Sequence, residues 1–144
     1  MLESNIKFIV NAPLQDVWNI ISEPRLNTHC IPGCVSCKIV DKDRAIWILE
    51  LKFGPFIKRI ELRSKNIKIN PPYHGKWVGY SRGIKVCGET TLEEIDDNST
   101  LVFYSLKIDS NSVMFKSIKS YIKEKIDFDV RQYAKNIKIS LENC

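Results

Sequence analysis

The chain opens with a short apolar segment followed by a helical pattern. Ile6–Val10 is mainly apolar and of strand length, so it predicts a first strand. Asn11 is positioned to cap a helix over Pro13–Ser22, and Pro24 ends that helix because its ring removes a backbone donor. A second short helix is predicted over about Arg25–Cys30. The first helix is amphipathic, with apolar residues three and four positions apart: Leu14, Val17, Trp18 and Ile21.

From Cys34 to Ser110 the pattern is that of strands separated by turns. The turns are rich in Asp, Asn, Gly and Pro and are short. Because a parallel crossover needs about a dozen residues or more, such turns join neighbouring antiparallel strands. Long antiparallel strands in succession favour a strongly curved sheet. The predicted strands are Val35–Val40, Ala45–Phe53, Ile57–Ile69, Tyr73–Ser81, Ile84–Ile95 and Thr100–Ile108.

The last predicted element is a helix over Val113–Leu141, with Ser110 and Ser112 as candidate N-caps. At 1.5 Å per residue, about 30 residues give roughly 45 Å of helix. Its apolar residues cover more than a narrow seam, which predicts burial over a wide arc. We therefore expect the curved sheet to wrap around this helix and to leave a cavity between them. Apolar cavities of this kind are the usual sites for small molecules.

Length and composition fit one domain over residues 1–144. The hydrophobic fraction is 44% and the charged fraction 27%, as in ordinary globular proteins. A chain of this length buries about two-thirds of its unfolded surface, so it needs neither a metal nor a disulfide to fold. The N-terminus lacks the features of a signal peptide, and no apolar run approaches the roughly 20 residues that span a bilayer. Five cysteines, an odd number, give no complete disulfide framework. We predict a cytoplasmic protein.

The net charge of +5 is modest. A basic stripe on the last helix (Lys116, Lys119 and Lys123) and a basic hairpin (Lys58, Arg59, Arg63 and Lys65) allow docking to an anionic membrane or partner. Solvated surfaces explain both patches equally simply, so peripheral membrane contact is not favoured. No basic-aromatic interleaving or nucleic-acid motif is present, and we expect no nucleic-acid partner.

Several short motifs resemble those of one known superfamily. Asn11-Ala12-Pro13 followed by Val17-Trp18 is similar to its "APxxxVW" opening, and Glu23-Pro24 to its "DP" break. Cys30-Ile31-Pro32-Gly33 is similar to a "CIPG" turn, and Phe53-Gly54-Pro55-Phe56 to a "GP" hairpin. The element order and these motifs resemble the START-like superfamily, also called SRPBCC, Bet v 1-like or helix-grip, and most of all the CoxG family of carbon monoxide dehydrogenase.

This resemblance implies an α+β helix-grip fold: a curved antiparallel sheet of about seven strands around a long C-terminal helix, with two short helices after the first strand. It implies a domain that binds a hydrophobic small molecule that is lipid-, quinone- or aromatic-like. Some members assist molybdenum hydroxylases that oxidise carbon monoxide, through membrane recruitment and quinone handling, so a redox-enzyme partner is one expectation. Those members often carry a C-terminal apolar anchor, whereas this sequence stops at Cys144.

His29, Cys30, Cys34 and Cys37 form the most conspicuous local cluster. Their spacing is compatible with an iron–sulfur cluster or with a zinc site of one histidine and three cysteines. Unligated cysteines that pack as small hydrophobic residues are the simpler interpretation. Cys34 and Cys37 are an odd number of residues apart, so on a regular strand their side chains leave opposite faces. We predict no metal and no cofactor.

We expect large apolar and aromatic residues to line the ligand site, and no catalytic residue is assigned. Tyrosine and tryptophan combine an apolar body with a polar group that can orient a ligand. An alternative is a polyketide-cyclase-type enzyme on the same fold, with Tyr73, Tyr104 or His29 transferring a proton. His74 is interpreted as exposed or structural. The predicted ligand-binding residues are Trp18, Trp47, Leu49, Leu51, Trp77, Tyr104, Ile118 and Ile122.

Overall fold

A computed structural model describes residues 1–53 and 55–142, with the side chains of Phe53, Phe56 and Met114 left out. The predicted "GP" turn therefore has its Gly54 outside the described residues. The elements in chain order are β1 (Leu2–Val10), α1 (Leu14–Ser22), α2 (Pro24–Asn27), β2 (Cys34–Ile39), β3 (Arg44–Phe53), β4 (Phe56–Asn70), β5 (His74–Ser81), β6 (Ile84–Asp96), β7 (Ser99–Ser110), α3 (Val113–Ser117) and α4 (Lys119–Glu142).

The strands form one curved antiparallel sheet in the order β1-β7-β6-β5-β4-β3-β2. Strands β2 to β7 pair with their neighbours in sequence, as the short turns predict. β1 pairs with β7 along its whole length, from Leu2 opposite Ile108 to Val10 opposite Thr100. β1 begins four residues before its predicted start, because Leu2 and Ser4 are buried like the rest of its inward positions. The predicted helix-grip architecture is confirmed.

The first helices differ from prediction in their boundaries. Pro13, and not Asn11, holds the N-cap position of α1, and no side chain caps it. Asn11 is exposed, and its side-chain amide donates to Glu142 at the end of α4, 3.1 Å away. The prediction of an Asn11 cap is therefore wrong, because a tertiary hydrogen bond replaces the local one.

The Cys30–Cys34 segment makes a tight turn that leads into β2. The Cys34 N–H donates to the Ile31 carbonyl at 3.2 Å, with Pro32 and Gly33 between them. Gly33 has φ +76°, which suits the third position of a type II turn. A Cβ on Gly33 would also collide with the Glu50 carbonyl oxygen on β3. The sequence Pro-Gly is thus required both by the backbone angle and by the close approach of β3.

The predicted long helix is divided in two. α3 and α4 are separated by a turn at Ile118, and Ser112 caps α3 by accepting the Phe115 N–H at 3.4 Å, as predicted for that serine. The backbone of α4 approaches β1 and α1 most closely, and its buried residues all lie in its second half: Val130, Tyr133, Ala134 and Ile137. The prediction of wide burial is wrong for the first half, where Ile118 is 41% and Tyr121 48% exposed.

The main core lies where β1, β7, α1 and the second half of α4 meet. Its fully buried members include Val10, Val17, Val102 and Ile137. Thr100 is buried among them and donates its hydroxyl to the Ala12 carbonyl, 2.9 Å away. None of the helices in the described residues combines the length and the apolar character needed to cross a bilayer.

Candidate functional site

The sheet has two faces, and the inner face is defined here as the one that packs on α1 and α4. The Trp18 ring of α1 lies 3.5 Å from the position that a Cβ on Gly75 would take. The Tyr104 ring of β7 packs on the Tyr133 ring of α4, with centroids 5.1 Å apart. Because side chains alternate along a strand, these contacts fix which residues of each strand point inward.

Six of the predicted ligand-binding residues share this inner face or pack on it. Trp47, Leu49 and Leu51 alternate along β3, and Trp47 pairs with the inward Leu62 of β4. Trp77 of β5 pairs with Gly88, and Tyr104 of β7 pairs with Thr90. The first three and both Trp77 and Tyr104 are only partly buried. Trp18 differs, because it is buried in the main core and its role there is packing.

Ile118 and Ile122 lie at the start of the C-terminal helix. Ile118 occupies the turn between α3 and α4 and is exposed, whereas Ile122 is half-buried. Their backbones make no close approach to β3 or β5 within the described residues. The inner surface of β3 to β5 is therefore left partly open on the side away from β1.

Trp77 lies flat over a neighbouring strand because that strand carries a glycine. A Cβ on Gly88 would overlap the indole ring of Trp77. Gly79, next along the inner face of β5, is similarly close to Leu62 of β4. Sequence reasoning attributed these glycines to curvature or ligand approach. The structure shows instead that they admit large neighbouring side chains.

The polar atoms of the inner aromatic residues are not equally engaged. The Trp47 N–H donates to the Ser64 hydroxyl at 2.8 Å, and Ser64 in turn donates to the Ala45 carbonyl. No hydrogen bond links the Trp77 N–H or the Tyr104 hydroxyl to any residue within 1–53 and 55–142, and neither atom is sealed from solvent. The inner face thus offers two donors for which the described protein provides no acceptor.

The tyrosine pair is held in its neutral form. Burial raises the pKa of the Tyr104 hydroxyl well above its usual value. Burial also raises the pKa of Tyr133, and the adjacent Tyr104 and Cys30 raise it further, although a hydrogen bond to Asn27 acts the other way. The Tyr133 hydroxyl donates to Asn27 at 2.7 Å, which ties α4 to α2. Both groups can donate hydrogen bonds at neutral pH, and neither is tuned to exchange a proton there.

The polar residues suggested for an enzyme do not converge. His29 and Tyr73 are exposed and lie in the loop after α2 and in the turn before β5. His74 forms an ion pair with Glu89 on the outer face, 2.6 Å apart, which confirms its structural interpretation. The hydrogen bond from His74 lowers the pKa of Glu89. This pair lies on the side of the sheet opposite the aromatic residues.

The cysteines do not assemble as a four-ligand cluster. Cys30 is buried with its sulfur 3.8 Å from the Ser140 hydroxyl, while His29 is exposed. Over the part of the chain that the structure describes, no group of three or more His, Cys, Asp or Glu side chains is placed to hold a metal ion. The prediction that Cys34 and Cys37 leave opposite faces is wrong, because a bulge in β2 between Cys34 and Ser36 shifts the register by one residue.

Two pockets lie away from the inner aromatic residues. One, of about 390 Å³, is on the outer face around Phe103, Glu89 and Thr91. The other, of about 480 Å³, lies where β1 meets α4 and is lined by Ser4, Lys123 and Asp127 among others. Asp127 accepts hydrogen bonds from Ser4 and Lys123, which lower its pKa. Sequence reasoning missed both pockets, since each depends on side chains distant in sequence.

The fold and the open aromatic inner face define the class: a START-like helix-grip protein. A sequence model of the CoxG family of carbon monoxide dehydrogenase matches residues 7–142, and the chain belongs to that family. No curated protein shows significant sequence similarity to it.

Solved structures agree on the fold. A conserved protein from Geobacillus kaustophilus is 18% identical with a TM-score of 0.85, over 99% of this chain and 96% of that one. A START superfamily protein from Mycobacterium smegmatis is 12% identical with a TM-score of 0.80, over 98% and 97%. Norcoclaurine synthase from Thalictrum flavum is 17% identical with a TM-score of 0.65, over 94% and 83%.

Proposed function

We propose that the whole chain is one ligand-binding domain whose inner face takes up a hydrophobic small molecule that is lipid-, quinone- or aromatic-like. One observation carries the proposal: Trp47, Leu49, Leu51 and Trp77 stay partly exposed on the inner face, because α4 lies along β1 and its first half does not cover them. A ligand that covered them would gain roughly 25 cal/mol for each Å² of apolar surface removed from water.

The unengaged donors narrow the class of ligand. The Trp77 N–H and the Tyr104 hydroxyl belong to side chains that are otherwise apolar, and a ligand acceptor would satisfy both. A carbonyl-bearing ring, such as a quinone, combines the required apolar area with acceptors. A saturated hydrocarbon would leave both donors unpaired. We therefore favour a lipophilic ligand with carbonyl oxygens.

Membership of the CoxG family supports a second part of the proposal, association with a redox enzyme resembling carbon monoxide dehydrogenase. In that role the domain carries its ligand to or from the enzyme. The polyketide-cyclase-type alternative is weaker. A solved structure of the same fold is a synthase, but here the pKa of Tyr104 is raised and His29 and Tyr73 are exposed elsewhere.

The test is a titration of the protein with menadione, a small naphthoquinone, followed by quenching of tryptophan fluorescence. Leu49→Ala and Leu51→Ala each remove about three carbon groups from the inner face, at roughly 0.8 kcal/mol for each group covered. If about half of that area contacts the ligand, Kd rises about tenfold. Ile48→Ala is the matched control, because Ile48 lies between them on β3 and points to the outer face.

Two results would contradict the proposal. One is an unchanged Kd in both inner-face variants, and the other is an equal loss in Ile48→Ala. Native mass spectrometry of the protein as isolated is an independent check. It should show a bound lipophilic molecule that is lost on extraction with organic solvent.

A further inference from the structure

We infer that Cys34 and Cys37 form a two-sulfur site for a soft monovalent metal ion of the Cu⁺ class. The two residues are separated by Val35 and Ser36 on β2, the outermost strand at one end of the sheet. On a regular strand they would be on opposite faces. The inference rests on the bulge that brings them to the same face.

Register and burial show this independently. Cys34 lies opposite Leu49 and Cys37 opposite Trp47, and these two β3 residues are alternate residues on the inner face. Val35 and Ser36 are both exposed, whereas both cysteines are half-buried. Both sulfurs are therefore on the inner face, beside an indole and a leucine side chain. Both thiols are free.

The expected spacing suits a bridging metal ion better than a disulfide. Partners that are two strand residues apart place the two cysteine Cα atoms roughly 6.7 Å apart. That is near the upper limit for disulfides, whose Cβ atoms must also approach to about 4 Å. Two sulfurs on either side of a metal ion are separated by about 4.6 Å, which is twice a typical metal–sulfur distance of roughly 2.3 Å.

The surroundings select the kind of ion. Hard cations such as Mg²⁺ and Ca²⁺ need several oxygen ligands, and structural Zn²⁺ needs four ligands. Within the described residues no third His, Cys, Asp or Glu joins the pair to make a metal-binding group. Cu⁺ and Ag⁺ are soft and accept two thiolates in a linear arrangement. The paired thiols in an apolar setting match that requirement.

The binding step releases protons. Burial raises the pKa of both thiols, and the charge of Cys37 raises that of Cys34 further, so both carry protons at neutral pH. Two S–H bonds break, two metal–sulfur bonds form, and two protons pass to water. The metal keeps its oxidation state. A cation between the sulfurs also removes the repulsion that two thiolates would have.

The experiment uses Cu⁺ supplied anaerobically as its bicinchoninate complex to the reduced protein. All variants carry Cys144→Ser, so that the terminal thiol cannot contribute. We expect the parent to remove one Cu⁺ per chain from the chelator, and Cys34→Ser or Cys37→Ser to bind at least about a hundredfold more weakly. Cys87→Ser is the matched control, because Cys87 is also half-buried but lies on β6. It should bind like the parent.

A second readout is local to the site. Trp47 lies opposite Cys37, so Cu⁺ should quench part of the tryptophan fluorescence in the parent and none in Trp47→Phe beyond its other tryptophans. The inference is overturned if the parent takes no Cu⁺ from the chelator, or if the Cys34→Ser/Cys37→Ser double variant takes as much. It is also overturned if Zn²⁺ binds this pair more tightly than Cu⁺, or if the reduced pair closes to a disulfide in place of binding. Circular dichroism of each variant confirms that it is folded.

Discussion

Gly88 and Trp77 show how a single missing side chain shapes the inner face. The indole of Trp77 lies across β6 because Gly88 has no Cβ at that point. This arrangement keeps the Trp77 N–H unengaged by the described residues and its ring partly accessible. The geometry of the proposed ligand site therefore depends on a residue that contributes no side chain to it.

Gly88→Ala should destabilise the protein by about 1–3 kcal/mol, the usual range for overpacking a filled site. The added methyl group must displace the Trp77 ring or move β6. Urea unfolding followed by circular dichroism measures the change. Gly75→Ala is the control, since its Cβ would meet Trp18 at an ordinary 3.5 Å. Equal destabilisation by the two substitutions would contradict this explanation.

At the scale of elements, one buried hydroxyl connects β7 to the start of α1. Thr100 is fully buried, and its Oγ1 donates to the Ala12 carbonyl across 88 positions of sequence. Ala12 lies just before α1, where no side chain caps the helix. The orientation of α1, and hence the packing of Trp18 on Gly75, depends on this contact.

Thr100→Val keeps the shape of the side chain and removes the donor. The Ala12 carbonyl then loses its partner in a buried site, which typically costs about 1–3 kcal/mol. The free energy of unfolding in urea should fall by that amount. Thr91→Val is the control, because Thr91 is exposed on β6, and it should change stability by less than about 0.5 kcal/mol. A neutral Thr100→Val would show that this contact does not stabilise the junction.

At the scale of the whole molecule, α4 is anchored at one end only. Its second half is buried against β1 and α1 and is tied to α2 through Tyr133. In its first half the large apolar residues are exposed or only partly buried, with Phe128 at 54% exposure. A segment with few buried apolar contacts opens at lower free-energy cost than a core segment.

Amide hydrogen exchange should therefore show a gradient along α4. Amides in residues 123–128 should exchange at least about tenfold faster than those in residues 133–138, measured by mass spectrometry after peptic digestion or by NMR. Saturation with menadione should slow the first group and leave the second unchanged, because the ligand is proposed to lie beside the first half. Uniform protection of the helix would contradict the one-sided anchoring.

The parts of the fold that could be predicted are those with local causes. Apolar periodicity located every strand and the helical regions, and Asp, Asn, Gly and Pro located the turns. The inward alternation of Trp47, Leu49 and Leu51 was likewise readable, because side chains on a regular strand alternate. The Pro32-Gly33 turn followed from two residue types that favour one backbone geometry.

The sequence alone determined the types of element, their order and the antiparallel pairing of β2 to β7, since short-range sterics and hydrophobic periodicity decide these. Tertiary structure decided the rest. The bulge that brings Cys34 beside Cys37, the burial of only half of α4 and the space that Gly88 provides for Trp77 depend on residues far apart in the chain. No pattern within one segment records which distant neighbour it will meet, so the candidate site emerged only when the strands and helices were packed together.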